Sequence, residues 1–535
     1  MRWKGVTIGK FLIALLTVAL VSTIAPGGRQ PAAPDGCASP QGCSVAKRRP
    51  LERLSTPDPR AASDQDRTFA LAGDGADRVR SIQALAWDQD APLREASTTS
   101  EPTEASATDS FSAGVEAMSV RTRLLGVEAA IGAEILRTGE TSGAVADPGA
   151  ALLLRDPLPE FSDPPLPASP TGGVYGPPNV ASNCSIDVSA QLNTWMASIP
   201  DNSTIIFEPD GCYLVQDRLS LTDRRTLLID GQGSLFRRTE LSTGLWLEPN
   251  TGGNRHWRFY GGSDITVRNI AVEGTNIDDP NCSGVVGAEY GAPGYACYVV
   301  NMEFEHGMSF HGIQGLRVDN VQTISTWGDG LYFGPYQGLA TKNATITNVQ
   351  IDLNGRQGIA LSGADSILFD DVSILHSRRA GFDLEPPPSY VRNIEIRNSY
   401  INSFLLAFAS AGRGDVSNIY IHHNTIDASG IPLVYVNASD GTRRYNWRIE
   451  YNTSLRPRGS PQATMLFSNV TGVIVRGNTW PVHTTQSRKA VEFRGALGTL
   501  IVLDNDFTGA CWAYNRDATT SGVFASNNVI STKGC

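Results

Sequence analysis

The sequence predicts an all-β chain wound as a parallel solenoid over residues 171–535. Three observations carry that prediction. First, nine lines each carry alternating β-branched residues followed by Asn or Asp: GLRVDNVQTI (315–324), ATITNVQIDL (344–353), SILFDDVSIL (366–375), VRNIEIRNSYI (391–401), VSNIYIHHNTI (416–426), NWRIEYNTS (446–454), TGVIVRGNTW (471–480), TLIVLDNDF (499–507) and SGVFASNNVI (521–530). Taken at Asn320, Asn348, Asp371, Asn398, Asn424, Asn452, Asn478, Asn505 and Asn528, the intervals are 28, 23, 27, 26, 28, 26, 27 and 23. Second, most repeats hold another short strand: GLYFG, GIALSG, GFDLEP, LLAFAS, PLVYVN, TMLFSN or AVEFRG. Third, no helical periodicity interrupts the repeats. A period near 25 built of strands is a stack of coils, because one coil cannot bury its apolar face alone.

The elements follow in chain order. MRWKGVTIGK supplies three cations, and FLIALLTVALVSTIA supplies a short apolar run with Thr23 and Ala25 near a cleavage point. Residues 1–25 therefore read as a secretory signal, with the mature chain secreted or on the extracellular surface and without a membrane span. Residues 26–170 are rich in Ala, Pro, Ser, Thr and Asp and read as a largely disordered arm, with one helical stretch at 115–138. IDVSAQLNTWMASIPDN (186–202) is an amphipathic helix with Ile186, Leu192, Trp195, Met196 and Ile199 near one face. It would cover the open N-terminal end of the core, which would otherwise be a bare sheet edge. In each coil the aligned Asn would stack as a ladder, its amide bonding the coils above and below.

The bulk numbers exclude some classes. A formal charge of −10 argues against a nucleic-acid partner, which needs a basic face. Eight cysteines in an exported chain point to disulfides, most simply Cys37–Cys43, Cys184–Cys212, Cys282–Cys297 and Cys511–Cys535. The chain has no CxxC or HExxH motif, so no cysteine or zincin metal site is expected.

The repeat, the Asn positions, and a helix followed by STIIFEPDGCYLV and TLLIDGQGSLFRR resemble the right-handed parallel β-helix proteins of the pectate-lyase-like superfamily, over roughly residues 175–535. The resemblance implies a right-handed parallel β-helix with a capping helix, and a polysaccharide lying across the outer face of one sheet. The superfamily spans lyases, hydrolases, epimerases, esterases, phage tailspikes and adhesins. Tailspike relatives are often trimers, so a homotrimer is one expectation.

Aligning the second strands by Gly307, Gly330, Gly358 and Gly381 sorts the neighbouring residues into columns. Met308, Leu331, Ile359 and Phe382 point inward, as do Phe310, Phe333, Leu361 and Leu384. Ser309, Tyr332, Ala360 and Asp383 point outward, followed by His311, Gly334, Ser362 and Glu385. In RRAGFDLEPPPS (378–389), Leu384 takes the core position, so Asp383 and Glu385 share the outer face. The prolines then stop the strand and turn the chain outward. Residues i and i+2 on a strand lie about 6.5–7 Å apart, which suits the roughly 5–9.5 Å separation of glycosidase carboxylates.

Asp383 and Glu385 are thus the expected acid and base of a glycoside hydrolase, with Asp329 as a third acid. His306, His311, Tyr332, Arg356 and Gln357 would position the sugar, and Trp327 would stack on it. The rival reading is a lyase or epimerase on an anionic glycan. Arg356 would then neutralise the uronate, a histidine or Tyr332 would act as base, and Ca²⁺ on Asp329, Asp383 and Glu385 is the one cofactor to consider. A non-catalytic glycan-binding surface protein is the third reading. WGDGLYFG carries one Asp where the superfamily's hydrolases often show two.

Overall fold

The structure is a computed structural model. It describes residues 161–531, apart from 178, 240–255, 277–296, 299–301, 429–432, 439–441, 456–462, 483–488 and 521. The expected signal and the helical stretch at 115–138 lie outside the described residues.

Parallel strands stack into an 18-stranded sheet and an 11-stranded sheet. The two halves of each repeat divide between them. The short second strands (Met308–His311, Leu331–Gly334, Ile359–Leu361, Ala380–Leu384, Leu406–Ser410, Val434–Asn437, Met465–Ser468 and Lys489–Arg494) all belong to the 11-stranded sheet. Its register is the one the glycine alignment gives: Met308 pairs with Leu331, Leu331 with Ile359, and Ile359 with Phe382. The inward columns are completely buried. Large rings stack along the axis, with Phe259 and Phe310 at 5.0 Å, Phe310 and Phe333 at 5.4 Å, and Phe382 and Phe408 at 5.7 Å between centroids. Burying such side chains is the main source of cohesion between coils.

The longer lines form the 18-stranded sheet and bend sharply on the way. The bend residues Asn269, Asn320, Asn348, Asp371 and Asn398 all have φ between 51° and 57°. Asn and Asp tolerate this left-handed conformation better than other side chains.

Here the expected single ladder needs correction. Asn320, Asn348, Asp371 and Asn398 occupy the outward bend. Asn424, Asn452, Asn478, Asn505 and Asn528 occupy the next position, inside the corner. The register makes the shift explicit: Arg397 pairs with His422 and Tyr400 with Thr425, so Asn398 faces His423 and Ser399 faces Asn424. Only the inner set forms the continuous ladder. Each Nδ2 donates to the next Oδ1 at 2.9–3.0 Å from Asn424 to Asn528. Each backbone N–H donates to the same oxygen at 2.9–3.1 Å.

The helix spans Ser189–Ser198 and closes the N-terminal end of the core with Leu192 and Met196. Ile186 is not on its buried face. It lies in the strand Asn183–Asp187 and is 56 % exposed. That strand is tied to the next coil by the disulfide Cys184–Cys212. Cys297 and Cys511 are also disulfide-bonded.

Residues 161–170 lie along the 18-stranded sheet. Phe161 packs on Tyr420 at 5.4 Å, Asp163 pairs with Arg397 at 3.3 Å, and the Ala168 N–H donates to Asp264 at 3.2 Å. No helix among the described residues is long and apolar enough to cross a membrane.

Candidate functional site on the outer face of the 11-stranded sheet

The site starts from the glycine column. A Cβ on Gly330 would lie 2.4 Å from Ile351 Cγ2 and 2.8 Å from the Gly358 carbonyl oxygen. A Cβ on Gly358 would lie 2.7 Å from the Gly381 carbonyl oxygen. Glycine lets these coils close up, which brings the residues just before and after it together.

Arg356 is the hub. Its Nη1 donates to both oxygens of Asp329 at 3.1 and 3.2 Å. Its Nε lies 3.5 Å from Glu303, and its Nη2 lies 3.9 Å from Glu385. Asp329 is fully buried and also accepts the Gln357 backbone N–H at 3.0 Å. Burial lifts the Asp329 carboxyl to about 6, although Arg356 and the Gln357 amide pull it down. His306, 1 % exposed, places Nδ1 3.2 Å from Asp329 Oδ2. Asp329 therefore sits beneath the outer face, holding Arg356 and the chain at Gln357, and does not line the surface as a third exposed acid.

Asp383 stands in the outward column as expected, beside Ala360 and Ala409. It is nevertheless only 3 % exposed. Its Oδ2 accepts from Gln357 Nε2 at 2.6 Å, while Oδ1 is buried and has no hydrogen-bond partner. Gln357 Oε1 in turn accepts the Ala380 N–H at 2.8 Å. Burial, then the neighbouring Glu385 charge, pushes the Asp383 carboxyl well above its ordinary range, against Arg356. Glu385 keeps 26 % of its side chain exposed. One carboxyl of the pair is buried with its pKa pushed up, and the other is partly exposed.

Beyond Glu385 the turn Pro386–Ser389 is bonded to the loop 411–414. The Arg413 and Gly414 N–H groups donate to the Pro386 carbonyl at 3.0 and 2.9 Å. Buried Arg444 clamps that loop through the carbonyls of Ala411, Gly412 and Gly414. Burial lowers the Arg444 guanidinium to about 10.

Trp327 does not line the face. It is 1 % exposed, and its ring N–H donates to Thr275 at 3.1 Å. It lies in the turn before the strand Leu331–Gly334, and its burial there leaves no ring face to stack on a sugar. Tyr332 packs between His306 (4.6 Å) and His311 (5.2 Å), and His311 stacks on Tyr260 at 4.4 Å. The His306–Tyr332 and Tyr260–His311 planes are 11° and 21° apart, so these rings turn their faces to one another.

Two contributors escaped the sequence reading. Glu303 and Tyr298 come from the segment before the Gly307 column, where no repeat marks them. The Tyr298 hydroxyl donates to Glu303, and the Arg379 guanidinium lies 4.5 Å above the Tyr298 ring. The run EFEH (303–306) carried the available signal, two acids and a histidine leading into a site strand. Among the described residues, no cluster of His, Cys, Asp or Glu has the arrangement of a metal site.

A family model described as "Right handed beta helix region" matches residues 337–530. The match lies within the stack of parallel strands that the described residues form. No curated protein matches its sequence. The β-helix is similar to solved structures of low identity. A hyperthermoactive exopolygalacturonase from Thermotoga maritima is 9 % identical, with 69 % of this chain and 94 % of that one covered and a TM-score of 0.47. An α-1,3-glucanase from Streptomyces thermodiastaticus is 13 % identical, covering 68 % and 70 %, with a TM-score of 0.38. A tailspike protein of an E. coli bacteriophage is 11 % identical, covering 66 % and 64 %, with a TM-score of 0.40.

Proposed function

We propose that this β-helix is an exported glycoside hydrolase working on the outer face of the 11-stranded sheet. The observation that carries the reading is the split carboxyl pair. Asp383 is buried, carries a raised pKa and keeps one unpartnered oxygen, while Glu385 is partly exposed two residues along the same strand. Paired carboxyls with unequal environments divide into acid and base. Asp383 would give its proton to the leaving glycosidic oxygen, which would become the missing partner of Oδ1. Glu385 would activate water, or attack the sugar carbon itself. Gln357 holds Asp383 through Oδ2, and Asp329 holds Gln357 and Arg356, so these are positioning residues.

The lyase reading fares worse because of Arg356. A lyase needs a cation to neutralise the substrate carboxylate, and Arg356 is surrounded by Asp329, Glu303 and Glu385. The test is a glycan panel read by released reducing ends and by ultraviolet absorbance of unsaturated uronides. New reducing ends without absorbance are expected. Absorbance would sink the hydrolase reading, and binding without turnover would place the chain among non-catalytic glycan binders.

A further inference from the structure

The geometry points to a glycan without carboxylate or sulfate groups as the ligand of this face. The inference rests on the glycan-binding part of the proposed function and adds the substrate class. The first support is how the cations are used. Arg356 is shared among Asp329, Glu303 and Glu385. The Arg379 and Arg258 guanidinium groups lie 4.5 and 4.4 Å above the Tyr298 and Tyr260 rings. Arg444 is 1 % exposed and engaged with loop carbonyls. Four coils beyond Asp383 along the outward column stands Glu492, which takes both Lys489 (3.4 Å) and Arg494 (3.2 Å). Arg413 and Arg494 are exposed cations of this face.

The second support is the surplus of acids. Around Arg356 and Arg379 stand Glu303, Asp329, Asp383 and Glu385. Even with Asp383 protonated, the negative charges outnumber the positive ones at neutral pH. A polyuronate laid along this face would bring its carboxylates towards like charges, and Arg356, Arg379, Arg258 and Arg444 are already engaged by acids, rings or carbonyls. Juxtaposed like charges suppress wrong partners.

The experiment measures binding and cleavage in parallel with the full, disulfide-intact chain. One arm holds neutral glucans, galactans, mannans and chitin oligosaccharides; the other holds polygalacturonate, alginate and sulfated galactans. At low salt, at least one glycan of the first arm should bind about tenfold or more tightly than any of the second. Residual binding to the second arm should strengthen as salt screens the repulsion. Equal or tighter binding of an acidic glycan, or acidic-glycan binding that weakens with salt, overturns the inference. So does failure of every glycan in the first arm to bind. The two claims fail separately: cleavage of polygalacturonate to saturated products would keep the hydrolase and discard the substrate class. Neutral binding without cleavage would do the reverse.

Discussion

At the scale of residues, the site depends on one arginine holding several acids in place. Asp329 is buried, so its charge is tolerable only beside Arg356. Replacing Arg356 by Met should cost about 3–5 kcal/mol, as breaking a buried ion pair does. Denaturant unfolding measures this, and Arg356→Met combined with Asp329→Asn should recover much of the loss. A cost near zero for the single variant would show that Asp329 is not held by that pair. The histidine and tyrosine rings teach a different lesson. His306, His311 and Tyr332 were expected to position a sugar, but the coil spacing lets them and Tyr260 pack on one another, and both histidines are buried.

At the scale of elements, the alternation of each strand was legible because its period is fixed by the pleat. Leu384 had to be inside, so Asp383 and Glu385 had to share the outer face, and the structure agrees. Corners were less legible. Both the outward bend and the inner ladder favour Asn, for a left-handed φ in one case and for stacked amides in the other. Residue type alone therefore merged Asn398 and Asn424 into one column. Trp327 and Glu303 lie in connections where no period applies, so neither burial nor proximity could be read from spacing. The two Asn roles predict different costs. Asn478→Ala leaves the Asn452 N–H without its acceptor and should destabilise by about 1–3 kcal/mol. Asn348→Ala, at an exposed bend, should cost clearly less, and equal losses of Tm would contradict the assigned register. In the glycine column, Gly330→Ala drives a methyl against Ile351 and the next carbonyl, with an expected loss of about 1–3 kcal/mol. An unchanged Tm would show that the coils are not closed up there.

At the scale of the whole molecule, stability is a sum over stacked coils, and buried acids tie that sum to pH. Glu305 is buried between Arg238 at 3.3 Å and His256 at 3.7 Å, and burial raises it to about 7 against the pull of Arg238. Asp329 is raised to about 6. Both bind protons more tightly in the folded chain than at the ordinary values of 4.5 and 3.8. As pH climbs through this window the unfolded chain sheds these protons first, so stability falls from about pH 4 to about pH 7. Tm should therefore be higher at pH 5 than at pH 8, and Glu305→Gln should shrink the difference. A Tm that rises with pH would contradict this. The central claim is that Asp383 and Glu385 carry out catalysis on the outer face of the 11-stranded sheet. Its most direct test is turnover of the glycan the panel identifies by Asp383→Asn and Glu385→Gln, each verified as folded by circular dichroism. The account predicts a loss of about 10²–10⁴-fold in kcat for either variant; full turnover by both folded variants would contradict it.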